Sequence, residues 1–425
     1  MRPTPLARRL YVAAALCVAA IAAATLWWPQ QPQVVPREPW TSAAAAASRR
    51  TPVILTSSPC IRWPAARQWL SNEYLSQRVP MLLDVVVSTP HRLHLNWNSD
   101  LPLADLLTQP VGAMVRQDLP SAELLRRIRA GEPLYYSSDL SHSDFGRLAP
   151  NDVPRSFLYV DKAAQSNSTS VWLGGHGVVT AAHYDTSHNF VAQLAGTKTF
   201  VLTPPASHSE LRLHPWDHPL SIFAQQSSDL ASTTVASLGP GDLLYVPPFY
   251  FHEVTAGPGI SLSLNVWSGS EEGEVAEVLE RGPPPPDKLF DATVGNPAER
   301  SALLAALVAA LADEVLGEPV GFVKHQLLGL RWETTITTLN CSLAEMPPCA
   351  APGAVAVGAS ERAQVEAHVA HVAATFAGLQ NQQRGVRELL LLNMVETVVG
   401  SSLGLVPGPG VRCPPPVRFY ACLDS

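Results

Sequence analysis

The stretch Thr180-Ala-Ala-His183-Tyr-Asp185 limits what this chain can fold into, because a histidine and a carboxylate stand two residues apart. On a β-strand such positions leave the same face, so one strand can offer two ligands to one ion. A third ligand fits at His252, which follows the turn Gly241-Asp242, the apolar run Leu243-Leu244-Tyr245-Val246 and Pro247-Pro248. Two neutral imidazoles and one carboxylate form the facial set that holds Fe(II) and leaves three positions open. The fold must therefore bring a strand ending near Asp185 against one containing His252, which is what the mouth of a small β-barrel does.

The neighbouring residues fit that picture. Asn189 to Leu194, Ala195-Gly196-Thr197 and Lys198 to Leu202 read as strand, tight turn and strand, which would fold Lys198 back beside the metal strand. A buried lysine needs a charge partner, and a dicarboxylate chelating the metal at one end would supply it at the other. The alternative is a lysine that snorkels to solvent at a hairpin end. Ser261-Leu-Ser-Leu-Asn265-Val-Trp267 alternates, so Asn265 shares one polar face with Ser261, Ser263 and Trp267. In a barrel that face lines a cavity.

These residues together resemble a family. Trp172-Leu-Gly-Gly-His-Gly-Val-Val-Thr180-Ala-Ala-His183-Tyr-Asp185, Asn189-Phe190, Gly196-Thr-Lys198, Gly239-Pro-Gly-Asp-Leu-Leu-Tyr-Val-Pro247 and Leu264-Asn265-Val-Trp267 are similar to the JmjC, or cupin-like, 2-oxoglutarate oxygenases. Within that group the resemblance is nearest to the asparaginyl hydroxylase that inhibits the hypoxia-inducible factor. It covers segments between about Thr51 and Trp332 and implies a mostly β fold, a double-stranded β-helix or jelly roll with flanking helices. It also implies Fe(II) and 2-oxoglutarate as cofactors, His183, Asp185 and His252 as iron ligands, and Lys198, Thr180 and Tyr135 as contacts to 2-oxoglutarate. Asn189 and Asn265 would line the same pocket. Two points depart from it. Strict alternation puts Thr180 on the face opposite His183, so a bend is needed at Ala181-Ala182. Two residues beyond Tyr135 stands Ser137, where the relative has a longer amide. The resemblance further implies a protein or peptide substrate and a homodimer formed by C-terminal helices. A cupin that binds without turnover would have no use for Lys198, and a tethered adaptor would use the helices alone; both remain open.

Before Glu38 the chain has no acidic residue, and from Leu10 to Trp28 it has no charge, with Arg2, Arg8 and Arg9 in front. That pattern predicts a cytosolic tail (1–9), a signal anchor crossing the membrane (10–28) and a flexible Pro/Gln/Ala-rich stem (29–50), with the rest in the lumen of the endoplasmic reticulum or Golgi. A cleaved signal peptide, given Ala22-Ala23-Ala24, or an organellar presequence are the other readings. Sequons at Asn167 and Asn340 fit a lumenal chain. Four of the six cysteines lie in the last part, where Cys341 with Cys349 and Cys413 with Cys422 can close short bridges; no CxxC pair suggests zinc. The formal charge of −7 argues against nucleic acid as the main partner.

The catalytic domain is expected over 51–282, with a helix from Ser121 capped by Gly131 that delivers Tyr135 on a strand. Thr203 to Gln226 reads as a surface connection whose His208, His214 and His218 are solvated, while His176 and His188 read as groups beside the metal ligands or on the substrate side. Pro283 to Pro286 mark a break. A helical segment, dimerising if the resemblance holds, follows to 336, with Leu304, Leu307, Val308, Leu311 and Val315 as its apolar stripe, and then a Cys-containing helical extension over 337–425.

Overall fold

The computed structural model describes residues 33–87, 92–93, 115–161, 166–216, 218, 220–226, 230–281, 297–338, 340–341, 358–379, 383–403 and 413–423. The expected tail and membrane helix (1–28), Pro283 to Pro286 and Cys349 lie outside the described residues. Among the described residues no helix is long and apolar enough to cross a membrane.

Fifteen strands build two facing sheets: β1 (Gln33–Val34), β2 (Arg37–Pro39), β3 (Val53–Thr56), β4 (Met81–Val87), β5 (Arg92–Leu93), β6 (Val115–Pro120), β7 (Leu134–Asp139), β8 (Ser168–Gly174), β9 (Val179–His183), β10 (His188–Ala195), β11 (Lys198–Thr203), β12 (Thr234–Leu238), β13 (Leu243–Val246), β14 (Phe251–Ala256) and β15 (Ser261–Ser268). One sheet runs β1-β12-β11-β14-β9-β5 and the other β2-β3-β13-β10-β15-β8-β7-β4-β6. From β8 to β15 the chain passes repeatedly between the sheets, and the pairs among these strands are antiparallel. This is the jelly-roll arrangement of a cupin. The period-two pattern explains the sheet faces: Val191, Leu244 and Val246 point between the sheets with Phe200 and Leu202, while Phe190, Leu243 and Tyr245 point outward onto the N-terminal helices. The turn at Ala195-Gly196-Thr197 is present, with Gly196 at φ +65° and an added Cβ only 2.1 Å from the Ile260 carbonyl oxygen. It is a corner rather than a hairpin, however. β10 and β11 lie in different sheets, so Lys198 stands two strands from β9 and faces it across β14.

The segment expected to be a flexible stem is part of the barrel from residue 33 onward. β1 pairs with Thr234 and Val235, and β2 pairs with Ile54 to Thr56. The alanine run forms a helix over Ala43–Ala47, where the Ser42 hydroxyl accepts from the Ala45 N–H at 3.1 Å and Ala43, Ala46 and Ala47 are buried. A run of identical small residues looks like low complexity in sequence, yet it lets a helix sit close on a sheet. Helix α1 (Ser121–Arg129) ends before Gly131 at φ +92°, as its pattern requires. Two short helices, Ala65–Gln68 and Asn72–Arg78, precede β4.

After α2 (Glu271–Arg281) the chain is helical: α3 (Pro297–Leu311), α4 (Ala359–Phe376), α5 (Arg384–Leu403) and α6 (Pro415–Ala421). The stripe Leu304, Leu307, Val308, Leu311 and Val315 is buried in one cluster with α4 and α5, and that cluster continues into Tyr184, Phe249 and Phe251 of the barrel. The chain itself covers the face that a dimer would have used. Cys341 is joined to Cys413, 72 residues away, and Cys422 is also disulfide-bonded, so the bridge expected from Cys341 to its near neighbour is replaced by one that ties α6 back to the start of the extension. Proximity in sequence favours short loops, but the packing of α6 under α5 decides which sulfurs meet. Replacing Cys341 and Cys413 together by serine should lower unfolding stability by ~4 kcal/mol on the chain-entropy account of a loop of this length. Denaturant titration reads the loss, and non-reduced peptide mapping should recover the Cys341–Cys413 link from the wild type.

Candidate metal centre

β9 and β14 supply the ligands because of their register. His252 lies opposite His183, but two residues further along β14 Val254 lies opposite Thr180, three residues back along β9. The extra residue is a bulge at Ala181-Ala182, and it returns Thr180 to the face that carries His183. One ligand atom from each of His183, Asp185 and His252 lies within 4.8 Å of the others. The two imidazoles are 4.2 Å apart between centroids, and His252 Nε2 is 3.7 Å from Asp185 Oδ2.

Each ligand is oriented by a second contact. His183 Nδ1 is 2.8 Å from the Ala181 carbonyl oxygen and His252 Nδ1 is 3.0 Å from that of Tyr250. A carbonyl only accepts, so both Nδ1 atoms carry the proton and both Nε2 lone pairs are free for an ion. Asp185 Oδ2, the oxygen that approaches His252, accepts from Asn189 Nδ2 and from Trp267 Nε1, each at 2.9 Å, which fixes the carboxylate against the two imidazoles. Asn265 Nδ2 in turn donates to Asn189 Oδ1 at 3.3 Å. Burial, followed by repulsion from His252, pushes His183 down to about 4, so the ring is neutral at physiological pH. Burial would raise Asp185, but the two imidazoles and the Trp267 and Asn189 hydrogen bonds hold it below the usual carboxylate range. Two histidine nitrogens and one anionic oxygen fit a divalent Fe(II) centre.

Between the two sheets Lys198 of β11 is buried and donates to Ser263 Oγ of β15 at 2.7 Å. Among the described residues no carboxylate pairs with it, and burial lowers it to about 7. Tyr135 shares a hydrogen bond with Thr180, and burial raises its hydroxyl above the ordinary tyrosine value. Tyr135 also packs against Trp172 at 5.9 Å, and its ring sits 3.1 Å from where a Cβ on Gly174 would be.

Residues 41–271, more than half of the chain, match the cupin-like domain family. The chain belongs to that family. Among curated proteins this cupin-like chain is 29% identical over 219 residues to Jumonji C domain-containing protein 5 of Drosophila melanogaster, covering 47% of this chain and 51% of that one. It is 24% identical over 238 residues to Lysine-specific demethylase JMJ30 of Arabidopsis thaliana, covering 52% and 50%. It is 28% identical over 161 residues to human HSPB1-associated protein 1, covering 33% and 29%. The chain thus spans about half the length of the first two relatives.

Several histidines are not where the cupin-like pattern alone would put them. His188 opens β10 but faces outward, where its Nδ1 meets the Tyr245 hydroxyl at 2.9 Å. His176 is exposed beyond β8. The connection after β11 is not a solvated loop: His208 is buried against Glu388 of α5 at 3.0 Å, and His218 is buried and stacked on His214 at 4.4 Å. This connection carries a residue that pattern reasoning missed. Phe223 bridges to His183 and stacks on its ring at 5.0 Å, while the Ala224 N–H donates to the Ala182 carbonyl. Ile222-Phe223-Ala224 was the available signal, a short apolar run between prolines and polar residues.

The lysine gives a testable sign. Its folded value of about 7 lies below the ordinary 10.5, so between those limits the unfolded chain holds a proton that the folded one lacks, and stability rises with pH. Below pH 7 the full cost of burying the cation is present. Lys198→Met should therefore be more stable than wild type at pH 6.5, with the gap closing toward pH 10; denaturation of the metal-free protein across that range measures it, and a gap independent of pH would refute the assignment.

Proposed function

We propose that this chain is an Fe(II)- and 2-oxoglutarate-dependent dioxygenase that hydroxylates a protein side chain of the Asn, Asp or His class in the secretory pathway. The observation that carries the reading is Lys198, buried on β11 beside the strand that bears His252 and without a carboxylate partner among the described residues, next to a complete two-histidine, one-carboxylate set. His183, Asp185 and His252 would hold the iron, and Lys198 would pair with the distal carboxylate of 2-oxoglutarate while the Tyr135 and Thr180 hydroxyls hydrogen-bond it. When bound, the pair supplies the oxidation: decarboxylation of 2-oxoglutarate to succinate coupled to insertion of one oxygen atom of O2 into a substrate C–H bond. The chain's own residues do the rest. Trp267 and Asn189 fix the carboxylate rotamer, Phe223 shields one imidazole from water, and the bulged β9 keeps the Thr180 hydroxyl on the ligand face. Likeness to the asparaginyl hydroxylase favours an extended peptide at the barrel mouth, with the Asn265 and Asn189 amides as its polar lining. A cupin that only binds is the lesser reading, since it leaves the buried cation without a purpose.

The compartment is part of the same proposal. Residues 10–28 have the length and flanking charge of a signal anchor, and the Cys341–Cys413 bridge suits an oxidising lumen. Asn340 is exposed in a left-handed turn at φ +50°, open to an oligosaccharide, whereas the Asn167 amide donates to the Asp161 carbonyl at 2.8 Å and Thr169 is buried. A lumenal enzyme would not meet nuclear targets, so substrates of nuclear relatives would not transfer with the fold.

Full-length protein with Fe(II) should release succinate from 2-oxoglutarate. Asp185→Ala should abolish both metal binding and turnover, and Lys198→Ala should raise the KM for 2-oxoglutarate at least about tenfold, the cost of losing a buried charge pair. Failure of the metal-loaded protein to bind 2-oxoglutarate by calorimetry would end the enzyme reading. For location, endoglycosidase should shift the protein through Asn340, and a C-terminal tag digested by protease outside intact microsomes would place the domain in the cytosol instead.

A further inference from the structure

Tyr184 stands between two of the proposed ligands and points the other way. Its ring stacks on Phe249 at 5.2 Å and meets the edge of Phe251 at 5.3 Å, the residue before His252. Phe249 is held at φ +60°, a left-handed conformation that is unfavourable for a bulky residue and persists only where neighbours enforce it. Its N–H donates to the Asp185 carbonyl at 2.7 Å. One aromatic side chain is thus packed on both ligand-bearing segments.

The hydroxyl of Tyr184 accepts from Asn393 Nδ2 of α5 at 3.1 Å. Asn393 Oδ1 accepts from Arg331 at 2.9 Å, and Arg331 pairs with Glu396 at 2.5 Å, both charges being almost fully buried. Glu396 also accepts from Trp332 Nε1 and the Trp216 N–H. A buried ion pair with its carboxylate satisfied fixes geometry more than it adds stability. Here it fixes the rotamer of Asn393. Residues 331–396 lie outside the stretch that matches the family.

We propose that Asn393 of the C-terminal extension is a positioning residue for the metal centre, acting through the Tyr184 hydroxyl to hold His183 and Asp185 in register with His252. This rests on the reading of that triad as a metal site. The extension is then a clamp behind the centre, and partners at one remove from a metal commonly change its affinity 10–100-fold.

Mn(II) affinity of the full chain, measured by calorimetry alongside melting temperature, tests it. Tyr184→Phe and Asn393→Leu should each weaken Mn(II) binding about tenfold, and the double variant no further, because both break one link. Asn393→Asp, which can accept from the tyrosine and from Arg331, should restore most of the affinity. Val399→Ala, a buried cavity on the same helix, should lower the melting temperature without moving Mn(II) affinity. Wild-type affinity in Tyr184→Phe, or an equal loss in Val399→Ala, overturns the positioning role. Wild type binding Mn(II) no better than Asp185→Ala would instead remove the metal site itself, and the inference with it.

Discussion

The pairing of β14 with β9 in a register that sets His252 opposite His183 is the constraint on which the site depends. Antiparallel neighbours opposite one another approach within about 5 Å at Cβ, close enough for two imidazoles to share an ion without any further adjustment of the backbone. The bulge then solves a second problem. With strict alternation the hydroxyl of Thr180 would face the outer core; one extra residue returns it to the cavity and leaves Ala182 packed outward with the helices. Alanine at both bulge positions is consistent with this, since a larger side chain would have to fit a kinked strand.

The polar groups between the two sheets are arranged in opposition. The triad end gathers acceptor lone pairs, while the far end presents a lone ammonium whose only described partner is a serine hydroxyl. Such a cation is unfavourable in the empty protein and favourable once an anion arrives, so the fold pre-pays part of the cost of recognition. In the proposed reading, a site that takes a dicarboxylate between a metal and a lysine would be strained in this sense when empty.

Much of the barrel could be read from residue patterns because its information is local. His183-x-Asp185, the alternation through Asn265 and Trp267, and the glycine turn at Gly196 each follow from a period of two or a required positive φ. What could not be read is what depends on residues far apart. The alanines near 45 read as linker because nothing local says that a sheet awaits them. His208 reads as solvated because its burial against Glu388 is supplied by α5, which begins more than 150 residues later. The disulfide partner of Cys341 depends on how α6 docks. Phe223 was hidden in the same way, by a connection that looks like loop until it adds itself to β9.

The C-terminal helices are more than an appendage to the barrel. Tyr184, Phe249 and Phe251 belong to the same apolar cluster as α3, α4 and α5, so the back wall of the proposed metal centre and the core of the extension are one body of packed side chains. Packed interiors transmit displacement rather than absorb it, since they lack the free volume to relax. The left-handed Phe249 makes the coupling direct: its conformation is held by the Asp185 carbonyl on one side and the Tyr184 ring on the other, and loosening either would let the Pro247-Pro248 turn relax and carry His252 with it. A chain cut near the end of the family match would keep every proposed ligand and lose the surface that holds two of them in place.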